Sequence, residues 1–166
     1  MTDVPVIQWG MTFSSFLVEA GNLPRQHWNE VGAFRDVLRF NPDHERYRNA
    51  ERAGALRILT AHIHGNLAAY LFLLIIPHPR DKDAILARDD IFYVRPAYRR
   101  MRLGVQMIDE AIAYATQHAH IIMLSEKVRR SAARGQRGGD YLMRWGFEPQ
   151  EVVWGRVLRN PHGDTP

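Results

Sequence analysis

The sequence contains no cysteine among its 166 residues. Disulfide bonds, thiolate zinc sites and a cysteine nucleophile are therefore excluded, and several enzyme classes with them. Long hydrophobic runs are absent as well, because the longest apolar stretch, residues 67–77, is too short to cross a bilayer as a helix. The N-terminus also lacks the basic-then-apolar layout of a secretory signal peptide. We therefore expect a cytoplasmic protein that does not enter a membrane.

Internal repeats, low-complexity segments and domain linkers are also lacking. Hydrophobic residues make up 46% of the chain and charged residues 24%, values typical of soluble globular proteins. A length of 166 residues suits one domain with its own core. We therefore predict a single domain over residues 1–166.

The charge is unbalanced in favour of basic residues, with 22 lysines and arginines against 18 acidic residues. A net charge of +4 favours an anionic partner, and nucleic acid, an acidic protein surface and a phosphorylated cofactor all fit. The basic residues concentrate in two segments, residues 95–102 and residues 127–137. The position of these two segments in the fold therefore determines which of these anionic partners the chain can bind.

The first fifty residues carry a helical pattern. Apolar residues recur at helical spacing in residues 24–38, where Pro24 suits an early helical position. A second short helix is predicted after Asp43, a good N-cap, and it should end at Gly54.

A β-hairpin is predicted next. Residues 55–63 are rich in β-favouring side chains, residues 64–66 suit a turn, and residues 67–76 are strongly apolar. Two prolines, Pro77 and Pro79, are expected to end the second strand. The polar residues 80–88 would then form a loop of the size that often borders a binding site.

A strand, a helix and a second strand follow. Residues 89–95 and 121–124 are predicted strands, and residues 103–119 form an amphipathic helix between them. Two strands joined by such a crossover helix should lie parallel. A short helix over residues 141–145 and a last strand over residues 152–158 complete the prediction.

The basic turn before the long helix is the most informative segment. The first N–H groups of a helix have no intrahelical partner and carry partial positive charge, so main chain can bind a pyrophosphate there. Arg99, Arg100 and Arg102 add side-chain donors in the turn. Gly104 is expected to let a phosphate oxygen approach the backbone closely.

This turn resembles the acetyl-CoA loop of the GNAT acetyltransferases, which has the pattern Arg/Gln-x-x-Gly-x-Gly/Ala at a strand-to-helix junction. Residues 94–99, Val-Arg-Pro-Ala-Tyr-Arg, look like the family's Val-x-Pro-x-Tyr-Arg. Arg99 takes the first motif position and Gly104 the last, whereas Arg102 replaces the first glycine. Residues 141–149 resemble the family's later helix, which ends in Gly-Phe.

Other segments resemble a GNAT branch that is encoded by tailed bacteriophages. These are the strand at residues 67–76, His78, the Asp-Ile-Phe-Tyr run at residues 90–93, and His27-Trp28-x-Glu30. The branch would place the protein in the cytoplasm of a host bacterium.

The resemblance implies the α/β (α+β) GNAT fold: a mixed, mostly antiparallel sheet with a splayed parallel strand pair, flanked by helices. It also implies acetyl-CoA as the acyl donor. The residues that it assigns to acetyl-CoA binding are Phe92, Tyr93, Val94, Arg99, Arg100, Met101, Arg102, Leu103, Gly104 and Val105.

GNAT enzymes transfer the acyl group directly to an amine, so a carboxylate or a water relay must remove a proton from the ammonium. Asp90 shares strand parity with Phe92 and Val94, which predicts that the three side chains lie on one face. Asp90 is therefore preferred to Asp89 as the base or water-holder, with Glu126 and His78 as further candidates.

No metal is predicted. His62 and His64 lack a convincing set of metal-ligand partners.

The acceptor and the function remain open at this point. The acceptor amine is either a lysine of a host bacterial protein or a small molecule held by an acidic pocket of Asp81, Asp83, Asp89 and Asp90. A catalytically silent module that binds protein or nucleic acid is a further alternative. The second basic segment, residues 127–137, is expected to form either a mobile loop without a binding role or a contact with the adenosine phosphate or an acidic substrate.

Overall fold

The structure is a computed structural model that describes residues 4–125, 138–150, 153, 156–159 and 161–162. The chain divides into two compact units. The first comprises Met1–Leu23 and Pro42–Ser125, and the second comprises Pro24–Asn41 and Glu126–Pro166. The single domain over residues 1–166 stays a prediction.

A five-stranded sheet forms the first unit, with the strand order β1-β2-β3-β4-β5. The strands are β1 (Val6–Trp9), β2 (Leu56–Ile63), β3 (Asn66–His78), β4 (Asp81–Val94) and β5 (Ile121–Met123). Neighbouring strands pair antiparallel except β4 and β5, which are parallel. This mixed sheet confirms the predicted fold class.

Helices cover both faces of the sheet. From Ala69 to Leu73, successive side chains of β3 alternate between two hydrophobic clusters, as the pleat of a strand requires. One cluster contains Leu71 and Leu73 and packs against α4 (Leu103–His118). The other contains Tyr70 and Phe72 and packs against α1 (Phe13–Ala20) and α3 (His44–Arg52).

Local signals predicted two of these helices correctly. Asp43 caps α3, because its carboxylate accepts a hydrogen bond from the N–H of Arg46 at 3.0 Å. Gly54 follows the helix with φ +70°, a conformation that glycine adopts without strain. The predicted helix over residues 103–119 corresponds to α4.

Three predictions about strands and helices are wrong. A short strand, β1, lies in the segment that was predicted to be helical, because β1 is stabilised by pairing with β2. The helix predicted over residues 24–38 ends at Val31. Residues 81–88 of the predicted loop belong to β4, and β3 continues through Pro77, which pairs with Ile85. The N–H of Ile75 donates to the Ala55 carbonyl, and after this residue β3 pairs with β4 but no longer with β2. Pro77 therefore lies on a segment that is paired on one side, where a residue without an N–H is tolerated.

The second unit contains α2 (Leu23–Val31) from Pro24 onward and a 3-10 helix over Gly138–Trp145. The guanidinium of Arg25 lies 5.1 Å from the ring centroid of Phe40. The short helix ends at Gly146, as predicted, with φ +75°. The predicted last strand, residues 152–158, lies partly outside the described residues, and its described residues, Val153 and 156–158, are not in a strand.

No helix in the described part of the chain has the length and apolarity needed to span a membrane.

Candidate active site

The parallel strands β4 and β5 separate beside the start of α4. Their pairing covers only three residues of each strand and ends where Arg88 meets Met123. Beyond this point the N–H of Ser125 donates to a carboxylate oxygen of Asp89 at 2.7 Å, while β4 continues to Val94. The splayed parallel pair that the resemblance implies is therefore present.

A β-bulge interrupts β4 at Asp90. Phe72 of β3 pairs with Ile91 and Leu73 pairs with Asp89, so Asp90 is the extra residue between them. Residues that pair directly lie on the same face of a sheet, which places Asp89 with Leu73 on the α4 face. Phe92 lies on that face too, through its pairing with Leu71.

The strand-parity prediction for Asp90 is therefore wrong. The extra residue shifts the alternation, so Asp89 rather than Asp90 shares a face with Phe92 and Val94. The side chain of Asp90 instead contacts Tyr47 of α3, which packs against the hydrophobic cluster on the other face.

The two neighbouring aspartates occupy different environments. Asp89 is 8% exposed, and its carboxylate accepts the Ser125 N–H. Asp90 is exposed, and its Oδ2 accepts a hydrogen bond from the Tyr47 hydroxyl at 2.6 Å. Burial, followed by the hydrogen bond to Asp90, raises the pKa of Tyr47 well above its usual value. The phenol therefore keeps its proton at neutral pH and acts as the donor.

The turn after β4 leaves backbone donors at the start of α4. A 3-10 helix over Pro96–Met101 leads to Arg102, which has the left-handed conformation φ +57°, ψ +15°. Arg102 gives no side-chain cap to α4. Among the described residues, the N–H groups of Leu103 and Gly104 find no hydrogen-bond acceptor. A left-handed residue followed by helical residues forms a concave anion-binding nest of main-chain N–H groups.

Gly104 lies in the first turn of α4, beside β4. A Cβ at this position would lie 3.7 Å from Cγ2 of Val94 and 3.8 Å from Cζ of Phe92. A methyl group at this position would therefore face β4 at ordinary van der Waals distance. The expectation that Gly104 lets a phosphate oxygen approach the backbone stays a prediction, and the Gly104 N–H is available as a donor.

The arginines of the turn differ in their surroundings. Arg99 folds back onto β4, where its Nε donates to the Val94 carbonyl at 2.9 Å and its Cζ lies 5.7 Å from the ring centroid of Tyr93. Arg100 and Arg102 have exposed side chains near the start of the helix. These two arginines add positive charge where the backbone donors lie.

The other residues assigned to acetyl-CoA divide by exposure. Leu103 is fully buried in the core, so it offers only its backbone. Met101 and Val105 are half-buried. Tyr93 is 5% exposed and belongs to the cluster on the opposite face from Phe92, so its side chain does not face α4.

One of the predicted catalytic candidates, His78, lies away from this site. His78 ends β3, and along this strand it lies roughly 17 Å from Leu73, the partner of Asp89, at about 3.3 Å per residue. Its Nδ1 accepts the N–H of Arg80 at 3.3 Å. Glu126 lies outside the described residues, as does the basic segment 127–137.

Metal ligands do not cluster in the described ranges. No group of three or more His, Asp or Glu side chains is placed there to hold a metal ion.

Sequence reasoning missed Tyr47 and Ser125 as partners of the two aspartates. Tyr47 lies 43 residues from Asp90, and Ser125 lies 36 residues from Asp89. Helical spacing marked Tyr47 only as part of an apolar side, and nothing local to either residue indicates its partner.

A parallel strand pair that separates beside an uncapped, basic helix start has the form of an acyl-CoA-dependent N-acyltransferase. The model of the Acetyltransferase (GNAT) family matches residues 24–138, and the chain therefore belongs to the GNAT family. The family consists of acetyl-CoA-dependent N-acetyltransferases, so the enzyme class of this chain is N-acetyltransferase. No curated protein sequence matches the chain at a significant level.

Solved structures show the same fold. A ribosomal-protein-alanine N-acetyltransferase from Brucella melitensis biovar Abortus 2308 is 17% identical with a TM-score of 0.60, over 94% of this chain and 99% of that one. A glucosamine-6-phosphate N-acetyltransferase from Arabidopsis thaliana is 10% identical with a TM-score of 0.64, over 94% and 99%. A predicted acetyltransferase from Clostridium acetobutylicum, solved with acetyl-CoA, is 15% identical with a TM-score of 0.64, over 93% and 97%.

Proposed function

We propose that the chain transfers an acetyl group from acetyl-CoA to a primary amine, and that the start of α4 holds the pyrophosphate. The observation that carries this proposal is the pair of backbone donors, the N–H groups of Leu103 and Gly104, which have no acceptor among the described residues. An anion at this place satisfies both donors and interacts favourably with the helix dipole. The exposed guanidinium groups of Arg100 and Arg102 add charge-assisted hydrogen bonds.

The open edge of β4 suits the pantetheine arm. In the part of the chain that the structure describes, β4 has no strand partner on that side beyond Arg88, so its main-chain groups between Asp89 and Val94 are not part of a ladder there. Unpaired backbone groups need hydrogen-bond partners, and an extended amide-containing arm supplies them. Phe92 and Val94 line the same face towards α4.

Asp90 is the proposed base or water-holder. A lysine ammonium has a pKa of about 10.4, so it must lose a proton before its nitrogen can attack a carbonyl carbon. Asp90 has an exposed carboxylate at the bulge, whereas Asp89 is buried and its carboxylate accepts the Ser125 N–H. Asp90 therefore keeps the preferred role, for a reason different from strand parity. Glu126 stays a further candidate.

The acceptor is proposed only as a primary amine. Solved structures with this fold carry names that specify a ribosomal-protein alanine, glucosamine-6-phosphate or an aminoglycoside, so the fold serves both protein and small-molecule amines. A lysine of a host bacterial protein, a bacteriophage origin and a cytoplasmic location stay predictions.

The acidic pocket considered for a small-molecule amine does not form as a group of four. Asp81 pairs with His78 at the far end of β4, and Asp83 lies beside it. A small-molecule acceptor would therefore depend on Asp90 rather than on this set. A silent module that binds protein or nucleic acid stays an alternative to catalysis.

Calorimetric titration with acetyl-CoA tests the proposal through two substitutions of one residue. Gly104→Pro removes the N–H, and proline is tolerated in the first turn of a helix. Gly104→Ala keeps the N–H and adds a methyl group at ordinary contact distance from Val94 and Phe92. A hydrogen bond to a charged group contributes about 1.5–3 kcal/mol, so the proline variant should bind roughly 10- to 100-fold more weakly than the alanine variant.

Proline at residue 104 disfavours helical backbone at Leu103, so the proline variant is also expected to be less stable. Unfolding measurements on both variants separate this loss of stability from the loss of acetyl-CoA affinity. Equal affinity of the two folded variants for acetyl-CoA would show that the Gly104 N–H does not bind the pyrophosphate. Mass spectrometry of acetylated amines then tests transfer itself, with lysine peptides, a polyamine and an aminoglycoside as acceptors.

A further inference from the structure

The hydrogen bond between Tyr47 and Asp90 joins a surface helix to the bulge of β4. The donor and acceptor atoms are 2.6 Å apart, a distance typical of a charge-assisted hydroxyl-to-carboxylate hydrogen bond. Among the described residues, it is the one hydrogen bond formed by the carboxylate of Asp90. In the described part of the chain, Tyr47 is therefore the residue that can fix the orientation of the Asp90 carboxylate.

The ring of Tyr47 is held on two sides. Phe13 of α1 stacks on it with ring centroids 5.1 Å apart, and Phe72 of β3 meets it edge-on at 5.5 Å. The helix that carries Tyr47 is tied to α1 as well, because the carboxylate of Glu51 accepts the N–H of Phe13 at 2.7 Å. These contacts give the phenol oxygen a fixed position relative to the sheet.

Asp90 lacks such restraint of its own. As the extra residue of a bulge it has no direct partner in the β3 ladder, and its side chain is exposed. An exposed aspartate without a partner samples several rotamers. A base has to lie within hydrogen-bond reach of the proton that it removes, so this freedom would reduce its efficiency.

We propose that Tyr47 is a positioning residue, whose hydroxyl holds the Asp90 carboxylate in one orientation for the acceptor amine. The inference rests on the proposed function of Asp90. It adds a role for α3, because this helix places a donor at the catalytic edge of β4 from the face opposite α4. Tyr47 acts through Asp90 and need not touch the acceptor.

A double-mutant cycle with Tyr47→Phe and Asp90→Asn tests the proposal. Phenylalanine keeps the ring between Phe13 and Phe72 and removes only the hydroxyl. With saturating acetyl-CoA, Tyr47→Phe should lower kcat about 10-fold while the Kd for acetyl-CoA stays the same. In the Asp90→Asn background it should cause no further loss, because the two residues act as one unit. Tyr70→Phe removes a hydroxyl from the same aromatic cluster and should leave kcat unchanged.

A kcat loss of the same factor in both backgrounds would overturn the proposal, since Tyr47 would then act independently of Asp90. An unchanged kcat in Tyr47→Phe would overturn it as well.

A measurement without turnover separates this inference from the proposed function. Three-bond couplings of Asp90 in labelled protein, assigned by comparison with Asp90→Asn, report its χ1 rotamer. A single rotamer in the wild type and averaging in Tyr47→Phe support positioning even if no amine in the panel is acetylated. Averaging already in the wild type refutes it, even if acetylation is confirmed.

Discussion

The left-handed residue before α4 allows the backbone of the proposed anion site to be tested by itself. Arg102 has φ +57° in the position where the family pattern has glycine. For a residue with a Cβ, this conformation costs about 1–2 kcal/mol. Glycine avoids that cost but loses about 0.4–1 kcal/mol more conformational entropy on folding. We therefore expect Arg102→Gly to be about 1 kcal/mol more stable than Arg102→Ala.

The alanine variant is the matched reference, because both substitutions remove the same guanidinium group. Their difference in stability therefore reports the backbone conformation alone. A difference of 1 kcal/mol corresponds to about 2–4 °C in Tm for a chain of this size. Urea unfolding followed by the fluorescence of the four tryptophans measures it, provided that the m-values agree. If Arg102→Ala proved as stable as Arg102→Gly, the left-handed conformation, and with it the nest of donors, would be refuted.

Two further predictions concern stability. Asp89→Ala should cost about 1.5 kcal/mol in urea unfolding, near the low end for a hydrogen bond to a charged group, because water can replace the acceptor at the exposed Ser125. Asp89→Asn keeps an acceptor oxygen and should cost less; equal losses would contradict this account. Burial, followed by Tyr93, raises the pKa of Tyr70, so above about pH 10 the unfolded chain loses a proton that the native chain keeps. Stability should therefore fall as pH rises above about 10, and Tyr70→Phe should show a slope smaller by up to about 1.4 kcal/mol per pH unit; equal slopes would contradict the shift.

Much of the fold could be predicted because its signals are local. The amphipathic pattern of α4, the N-cap Asp43 and the apolar run of β3 each depend on neighbouring residues, and each element lies where it was expected. The parallel pairing of β4 and β5 followed from the crossover helix between them. The position of the turn that we propose as the anion site could be predicted for the same reason, since a strand end, arginines and a helix start are adjacent in sequence.

The parts that could not be predicted depend on distant residues. The four residues of β1 form a strand because β2 offers a ladder, and β3 continues through Pro77 because β4 pairs with it there. The bulge at Asp90 has no distinctive local sequence, since it is defined by which residues of β3 lie opposite. A single extra residue reverses the alternation of side chains, so the prediction from strand parity assigned the two aspartates to the wrong faces.

The bulge also explains how two consecutive aspartates can have different functions. In a regular strand, consecutive side chains lie on opposite faces, and Asp90 would have a partner in β3 that fixes its direction. With the extra residue, Asp89 shares the α4 face with Phe92 and accepts the N–H of Ser125 where β5 leaves the sheet. Asp90 stays exposed at the same edge, with its direction set by Tyr47. One carboxylate thus holds the strands at their point of separation, and the other is left accessible for the proton transfer that we propose.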